Sequence, residues 1–403
     1  MEACGLIVEY NPFHNGHLYH LTKSKEQSNA SCLIAVMSGN FLQRGEPAII
    51  DKFQRTEIAL RSGVDLVVEL PYAYAVQHSD LFSYGAITTL ANLFCPTVCF
   101  GSEHGEIEDF FSAYNVLVKE KQTFQAELHH YLGQGLSFPE ASKHAYASIG
   151  LTEGSVDLSS PNNILGFSYV KAIKEYGYSI QPMTIERTSN QFHQETITSS
   201  IASATSIRKE LLASKEIPNK VKQAIPVPTF EALEDYYEKT GVWHDWEHYF
   251  SLLKYRIQTM PLTELESIHG VEEGLEYRLK RTVESAVSFN DWMQTLKTKR
   301  YTWTRLQRIC THILTNTKKV DIEKMKETNT LPYVRVLGMT KTGQDYLHQI
   351  KKETDIPIYT KLPTDNSLLS VVEQRATDAY YSILSPQNQI KLKRQEVLPP
   401  IRV

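Results

Sequence analysis

The residues with the clearest chemical potential are His14 and His17, set in Asn11-Pro12-Phe13-His14-Asn15-Gly16-His17 near the start of the chain. Three positions apart, the two imidazoles share a face if they lie in the first turn of a helix. A helix starting there points unpaired N–H groups and its positive dipole end at the turn, which suits a phosphate. Each imidazole donates a hydrogen bond when neutral, and protonation strengthens the contact. The pair can therefore follow negative charge as it moves from an α-phosphate to a departing pyrophosphate. Pro12 stiffens the entry to the turn and Gly16 permits close backbone approach. His20, one helical turn beyond His17, reads as surface by its spacing. A second set lies in Ile201-Ala202-Ser203-Ala204-Thr205-Ser206-Ile207-Arg208, where hydroxyls and a guanidinium fork can meet phosphate oxygens. Taken alone, that stretch is equally a helix start capped by Ser203 or Thr205, with Arg208 exposed.

These residues need a scaffold. Ala3 to Val8 is a short apolar run, read as a buried strand, and the histidine turn follows it directly. A polar segment from His17 to Ser28, with apolar residues at helical spacing, comes next. Cys32 to Met37, Leu66 to Leu70 and Thr97 to Phe100 read as further strands, with helices over Asp51 to Ser62 and Gly85 to Phe94. Alternating strands and helices imply a parallel sheet covered on both faces, with ligands beyond the carboxyl ends of its strands. The turns after strands one, two and four are thus the expected site. After Ile217 the texture changes at Pro218, Pro226 and Pro228. Phe230 to Lys239, Trp246 to Thr259, Gly274 to Ser288 and Arg305 to Thr315 then read as helices, and Val334 to Leu337 as a short strand. The expected organisation is α/β: a Rossmann-like parallel-sheet domain over 1–220, then a mainly helical domain over 221–403.

His14-Asn15-Gly16-His17 after a first strand resembles the HIGH motif of nucleotidyltransferases and class I aminoacyl-tRNA synthetases, and Ile201 to Arg208 resembles the ISSTxIR element of small adenylyltransferases. Met37-Ser38-Gly39-Asn40-Phe41-Leu42-Gln43-Arg44-Gly45-Glu46-Pro47-Ala48 is similar to a signature of the bacterial tRNA(Met) cytidine acetate ligase family. So are Leu66-Val67-Val68-Glu69-Leu70-Pro71, Phe100-Gly101-Ser102-Glu103 and Pro161-Asn162-Asn163-Ile164-Leu165-Gly166. Arg305, Arg308 and Arg335-Val336-Leu337-Gly338 fit more loosely. The resemblance implies an ATP-dependent enzyme that forms acetyl-adenylate and acetylates N4 of the wobble cytidine of elongator tRNA(Met). It implies His14, His17 and Arg208 as the catalytic set. The implied ATP contacts are Ile7, Asn11, Pro12, Phe13, His14, Gly16, His17, His20, Gly101, Asn162, Arg187, Ser203 and Thr205, with Mg²⁺ expected on the phosphates. Asn40 and Arg44, on a polar loop at the strand edge, are expected to meet acetate or cytosine.

The net charge of −4 offers no global attraction for nucleic acid, so RNA must be held by a local patch. Residues 281–320 carry Arg281, Lys297, Lys299, Arg300, Arg305, Arg308, Lys318 and Lys319 against only Glu284 and Asp291, with Tyr301 and Trp303 interleaved. Such a mixture suits an RNA backbone and unstacked bases, and Lys299, Arg300, Arg305 and Arg308 are the expected RNA contacts. The five cysteines have neither a disulfide pattern nor the spacing of a complete zinc site, and no metal-binding residue is nominated. The acidic, short-runned N-terminus does not read as a signal peptide and no stretch reaches membrane-spanning length, so a cytoplasmic protein is expected. Two other readings stay open on sequence: a small-molecule adenylyltransferase, and a non-enzymatic RNA-binding protein that keeps a nucleotide pocket.

Overall fold

Ala3–Val8 has no polar face, so it must be covered on both sides, and it forms the middle of a sheet. The computed structural model describes every residue except 154–155, 188–201, 273, 328–329, 364 and 366. Strands β1 (Ala3–Val8), β2 (Cys32–Ser38), β3 (Leu66–Leu70), β4 (Thr97–Ser102) and β5 (Gln181–Glu186) run parallel in the order β5-β4-β1-β2-β3. The chain winds outward from β1 through β2 to β3, then returns to the other side of β1 for β4 and β5. That reversal opens a crevice beyond the carboxyl ends of β1 and β4. The expected α/β class with a mostly parallel sheet is what the chain adopts. Strand β5 has no strong local signal, because it is an edge strand carrying Pro182 and pairs only with β4.

The second half is mainly helical, and it also extends the sheet. Strand β6 (Val334–Met339) pairs antiparallel with β3, and β7 (Ile358–Tyr359) and β8 (Ile401–Arg402) pair with β6. All six β6 residues are buried, so the strand needs cover on both faces, and β3 offers an edge whose backbone groups need partners. The helix expected from Gly274 to Ser288 runs only over Leu275–Val283, and a separate helix, Phe289–Leu296, follows it, capped by the Ser288 hydroxyl on the Asp291 N–H. No helix among the described residues is long and apolar enough to cross a membrane.

Two motif fragments without an evident role in sequence meet in the core. Arg335 of β6 contacts Glu69 of β3 at 2.8 Å and Glu396 at 2.6 Å, while Lys52 contacts the same carboxylates at 2.6 and 2.9 Å. All four side chains are at most 3% exposed. Burial opposes ionisation of Glu396, but Lys52 and Arg335 outweigh it and hold the carboxyl well below its usual range. Removing one member strands charge in the interior. We expect Arg335→Met to cost about 3–5 kcal/mol in urea unfolding, a large part of a typical domain's stability. A loss under about 1 kcal/mol would show that the remaining charges re-pair.

Candidate active site

The cleft is built from turns at the carboxyl ends of β1, β2 and β4 and from three helix N-termini. Those helices are Asn15–Ser28, Pro161–Glu175 and Ala204–Leu212. His14 is the N-cap of the first. Its Nδ1 accepts from the Gly16 N–H at 3.0 Å and the His17 N–H at 3.4 Å, while His17 Nδ1 accepts from the His14 N–H at 3.3 Å. This reciprocal box has the form usually made by a hydroxyl and a carboxylate. It fixes the tautomer: with both Nδ1 atoms accepting, each neutral ring carries its proton on Nε2. The rings stack with centroids 3.7 Å apart. Burial, with Arg187 and Arg208 adding repulsion, pushes His14 down to about 3. Burial and the neighbouring His14 hold His17 well below its usual value. The working form in the unliganded site is therefore neutral, and a second proton on Nδ1 would confront the backbone N–H groups it now accepts from.

Sequence spacing placed His20 on the surface, but it lines the cleft; its Nε2 is buried and burial pushes it down to about 4. The cause is tertiary: β4 lies alongside this helix, and Gly101 leaves space that His20 and Arg187 flank. A Cβ on Gly101 would stand 3.3 Å from Arg187 Cγ and 3.9 Å from His20 Cδ2. Arg187 Nη1 reaches Asn162 Oδ1 at 3.5 Å. Glu103 explains why the Gly101 and Asn162 motifs accompany one another. Its carboxylate accepts from the Asn162 N–H at 3.2 Å, the Asn162 amide at 2.7 Å and the Asn163 N–H at 2.7 Å, clipping the helix start to the end of β4.

Ser203 caps its helix by accepting from the Ser206 N–H, and Thr205 lines the cleft beside it. Ile201, the first residue of that motif, lies outside the described residues. Arg208 is neither idle nor fully exposed: it donates to the Asn11 carbonyl at 2.9 Å and pairs with Glu46 at 3.1 Å. Ile7, Asn11 and Gly16 also line the cleft. Pro12 and Phe13 are buried beneath the turn and do not line it.

The loop after β2 is pinned rather than solvated. Gly45 accepts through its carbonyl from Trp246 Nε1 at 3.1 Å and from the Thr311 hydroxyl at 2.8 Å. A Cβ there would come within 2.4 Å of the Arg308 backbone, and φ is +79°, so glycine is required on both counts. Gln43, Arg44 and Glu46 face the cleft. Asn40 does not: it is 5% exposed, and its Oδ1 accepts from the Lys52 N–H. Glu9, at the end of β1, went unremarked in sequence because nothing local marks it. It lines the cleft and accepts from the Gln43 N–H at 2.8 Å, and burial raises its carboxyl above the usual range.

Arg300, Arg305 and Arg308 line the far wall, while Lys299 stands exposed outside it. Burial, with Arg305 and Arg44 close by, pushes Arg308 down to about 10. The interleaved aromatics are not base platforms. Tyr301 is 7% exposed and donates to the Glu272 carbonyl at 3.0 Å, Arg305 lies over its ring at 4.8 Å, and Trp303 packs on the core. The amphipathic Trp303–Leu314 helix turns its apolar side inward, and Trp303 goes with it.

The model of the HIGH Nucleotidyl Transferase family matches residues 1–396. The tRNA(Met) cytidine acetate ligase of Oceanobacillus iheyensis is 55% identical over 100% of both chains. The protein of that name from Bacillus subtilis is 46% identical over 90% of this chain and 88% of its own. Thermotoga maritima TmcAL, 33% identical, superposes over 100% of both chains with a TM-score of 0.91 in its apo crystal form and 0.89 when bound with α-thio ATP.

Proposed function

Since the chain belongs to the tRNA(Met) cytidine acetate ligase family, we propose that it activates acetate with ATP in the histidine-lined half of the cleft and acetylates the wobble cytidine of elongator tRNA(Met) across the arginine-lined half. The observation that carries this reading is the pair of Nε2–H donors beside Arg208 at converging helix N-termini, in a cleft continuous with Arg300, Arg305 and Arg308. In the first step an acetate oxygen attacks the α-phosphorus, the bond from that phosphorus to the bridging oxygen breaks, and pyrophosphate leaves. Two neutral imidazole donors and a guanidinium, fixed before the charge moves, stabilise that transfer by preorganisation. In the second step the cytidine N4 attacks the acetyl carbon, AMP leaves and N4 loses a proton. Mg²⁺ would arrive on the ATP phosphates and screen their charge. Among the described residues no cluster of three His, Cys, Asp or Glu side chains is placed to hold a metal alone, so no residue is assigned to it. The cytoplasm, where tRNA and ATP meet, is the proposed location.

Arg208 must exchange Glu46 for phosphate. Glu46→Gln should therefore lower the ATP KM by about two- to fivefold, the scale of a partly exposed ion pair. A raised KM would mean that Glu46 orients Arg208 instead. The function itself is tested by incubating the protein with radiolabelled acetate, ATP and bulk tRNA, digesting the RNA and identifying the labelled nucleoside. N4-acetylcytidine is the expected product. Pyrophosphate exchange that ignores acetate but responds to a phosphorylated metabolite would instead make the protein a small-molecule adenylyltransferase.

A further inference from the structure

The cleft encloses about 1830 Å³, against roughly 300–1,000 Å³ for a pocket that takes one small ligand. ATP leaves much of it for a second occupant. Its wall away from the histidine turn includes Gln77, His269, Glu272, Arg308 and His312. Gln77 is 3% exposed. Its Oε1 meets His269 Nε2 at 3.2 Å, while its Nε2 has no hydrogen-bond partner in the protein. A buried amide donor left unmade costs about 1–3 kcal/mol, so a cleft-lining residue that carries one is built for a partner outside the chain.

The surroundings restrict what that partner is. His269 stands edge-on to His312 with centroids 5.0 Å apart, and His312 meets the Tyr72 hydroxyl at 2.9 Å. Burial, reinforced by Lys326, His78 and Arg308, pushes His269 down to about 4, and burial holds His312 well below its usual range. Gln77 therefore sits among neutral rings, an environment for an uncharged heterocycle, while the cations suited to phosphate stand on neighbouring turns at Arg305 and Arg308. The position also connects to the nucleotide turn. Arg308 reaches the Gln43 carbonyl at 3.5 Å, and the Gln43 N–H donates to Glu9 at the end of β1.

We propose that Gln77, oriented by His269, is the specificity determinant for the target base, its Nε2 donating to the N3 and O2 acceptors of the cytosine ring. This assignment rests on the acetate-ligase reading of the cleft. Recognition from that edge has two chemical consequences. It leaves the N4 amine unengaged and free to attack the acetyl carbon. It also discriminates against uracil, whose N3 is a donor and would face the amide N–H.

The test uses the full-length protein and two anticodon stem-loop RNAs, one with cytidine at the wobble position and one abasic there. The wild type should bind the cytidine hairpin at least about tenfold more tightly, the scale of one base-specific contact. Gln77→Met should bind both hairpins alike and transfer acetyl at least about tenfold more slowly at subsaturating RNA. Acetate-dependent pyrophosphate exchange reports that its nucleotide site is folded. Gln77→Leu, which also removes the donor, carries the same test should the methionine variant fail to fold. A base preference and transfer rate retained in either folded variant overturn the assignment alone. Loss of exchange together with transfer in a normally melting protein overturns it too, by placing Gln77 in the first step. A wild type that acetylates no cytidine sinks the functional reading, and the assignment with it.

Discussion

His17→Ala slows acetate-dependent ATP–pyrophosphate exchange by about 10²-fold or more, the usual consequence of deleting one preorganised donor to a developing charge. His14→Ala should do the same and also lose the cap on the Gly16 and His17 N–H groups, worth about 0.5–2 kcal/mol of stability. His14→Asn separates the two effects: the asparagine oxygen still caps the helix, so melting should stay near wild type while exchange remains low. The pH profile tests the protonation state. Burial lowers His14 to about 3 and holds His17 well below its usual value, so the neutral rings are the forms present near neutral pH, and protonation of His14 cannot limit the rate until the pH falls toward about 3. Exchange at saturating ATP should therefore show no decline as pH rises from 6 to 8. A mechanism that needs imidazolium requires activity to fall across that interval, and such a fall would falsify the neutral-donor assignment.

Replacing Arg300, Arg305 and Arg308 together with alanine should weaken tRNA binding by about 10²-fold or more at physiological salt and flatten its salt dependence. Each phosphate contact contributes roughly 0.7–0.9 to the slope of log K against log salt, so losing three should make that slope shallower by about 2. Exchange without tRNA should stay near normal, because these side chains stand on the wall opposite the histidine turn. Arg305 already spends part of its charge on Glu272 at 2.9 Å, so a single Arg305 change should be the mildest of the three. Loss of exchange with unchanged tRNA affinity would reverse the division of labour between the two walls. Loss of both calls for circular dichroism first, since Arg308 also braces the loop at Gln43.

Much of this protein was legible locally. β1, β2 and β3 are apolar runs that cannot tolerate a wet face, and a strand-turn-helix with two histidines at the turn announces an anion site whatever surrounds it. Ser203 as a cap and arginines on a second-half helix follow from residue type and spacing alone. What the local pattern does not carry is which distant group completes each residue. His20 looks like a surface histidine until β4 is laid beside it, and Tyr301 looks like a base platform until its ring is buried with its hydroxyl on the Glu272 carbonyl. Glu69 and Arg335 are 266 positions apart and meet because β6 takes the free edge of β3; Gln77 and His269 are 192 apart and meet because the helical half closes one wall of the cleft. The backbone N–H groups around the turn set the tautomer of both imidazoles. Periodicity reports which face of an element is apolar, a property of neighbours along the chain. Pairing, tautomer and pKa depend on what lies within a few ångströms in space, and only the closed tertiary structure decides that.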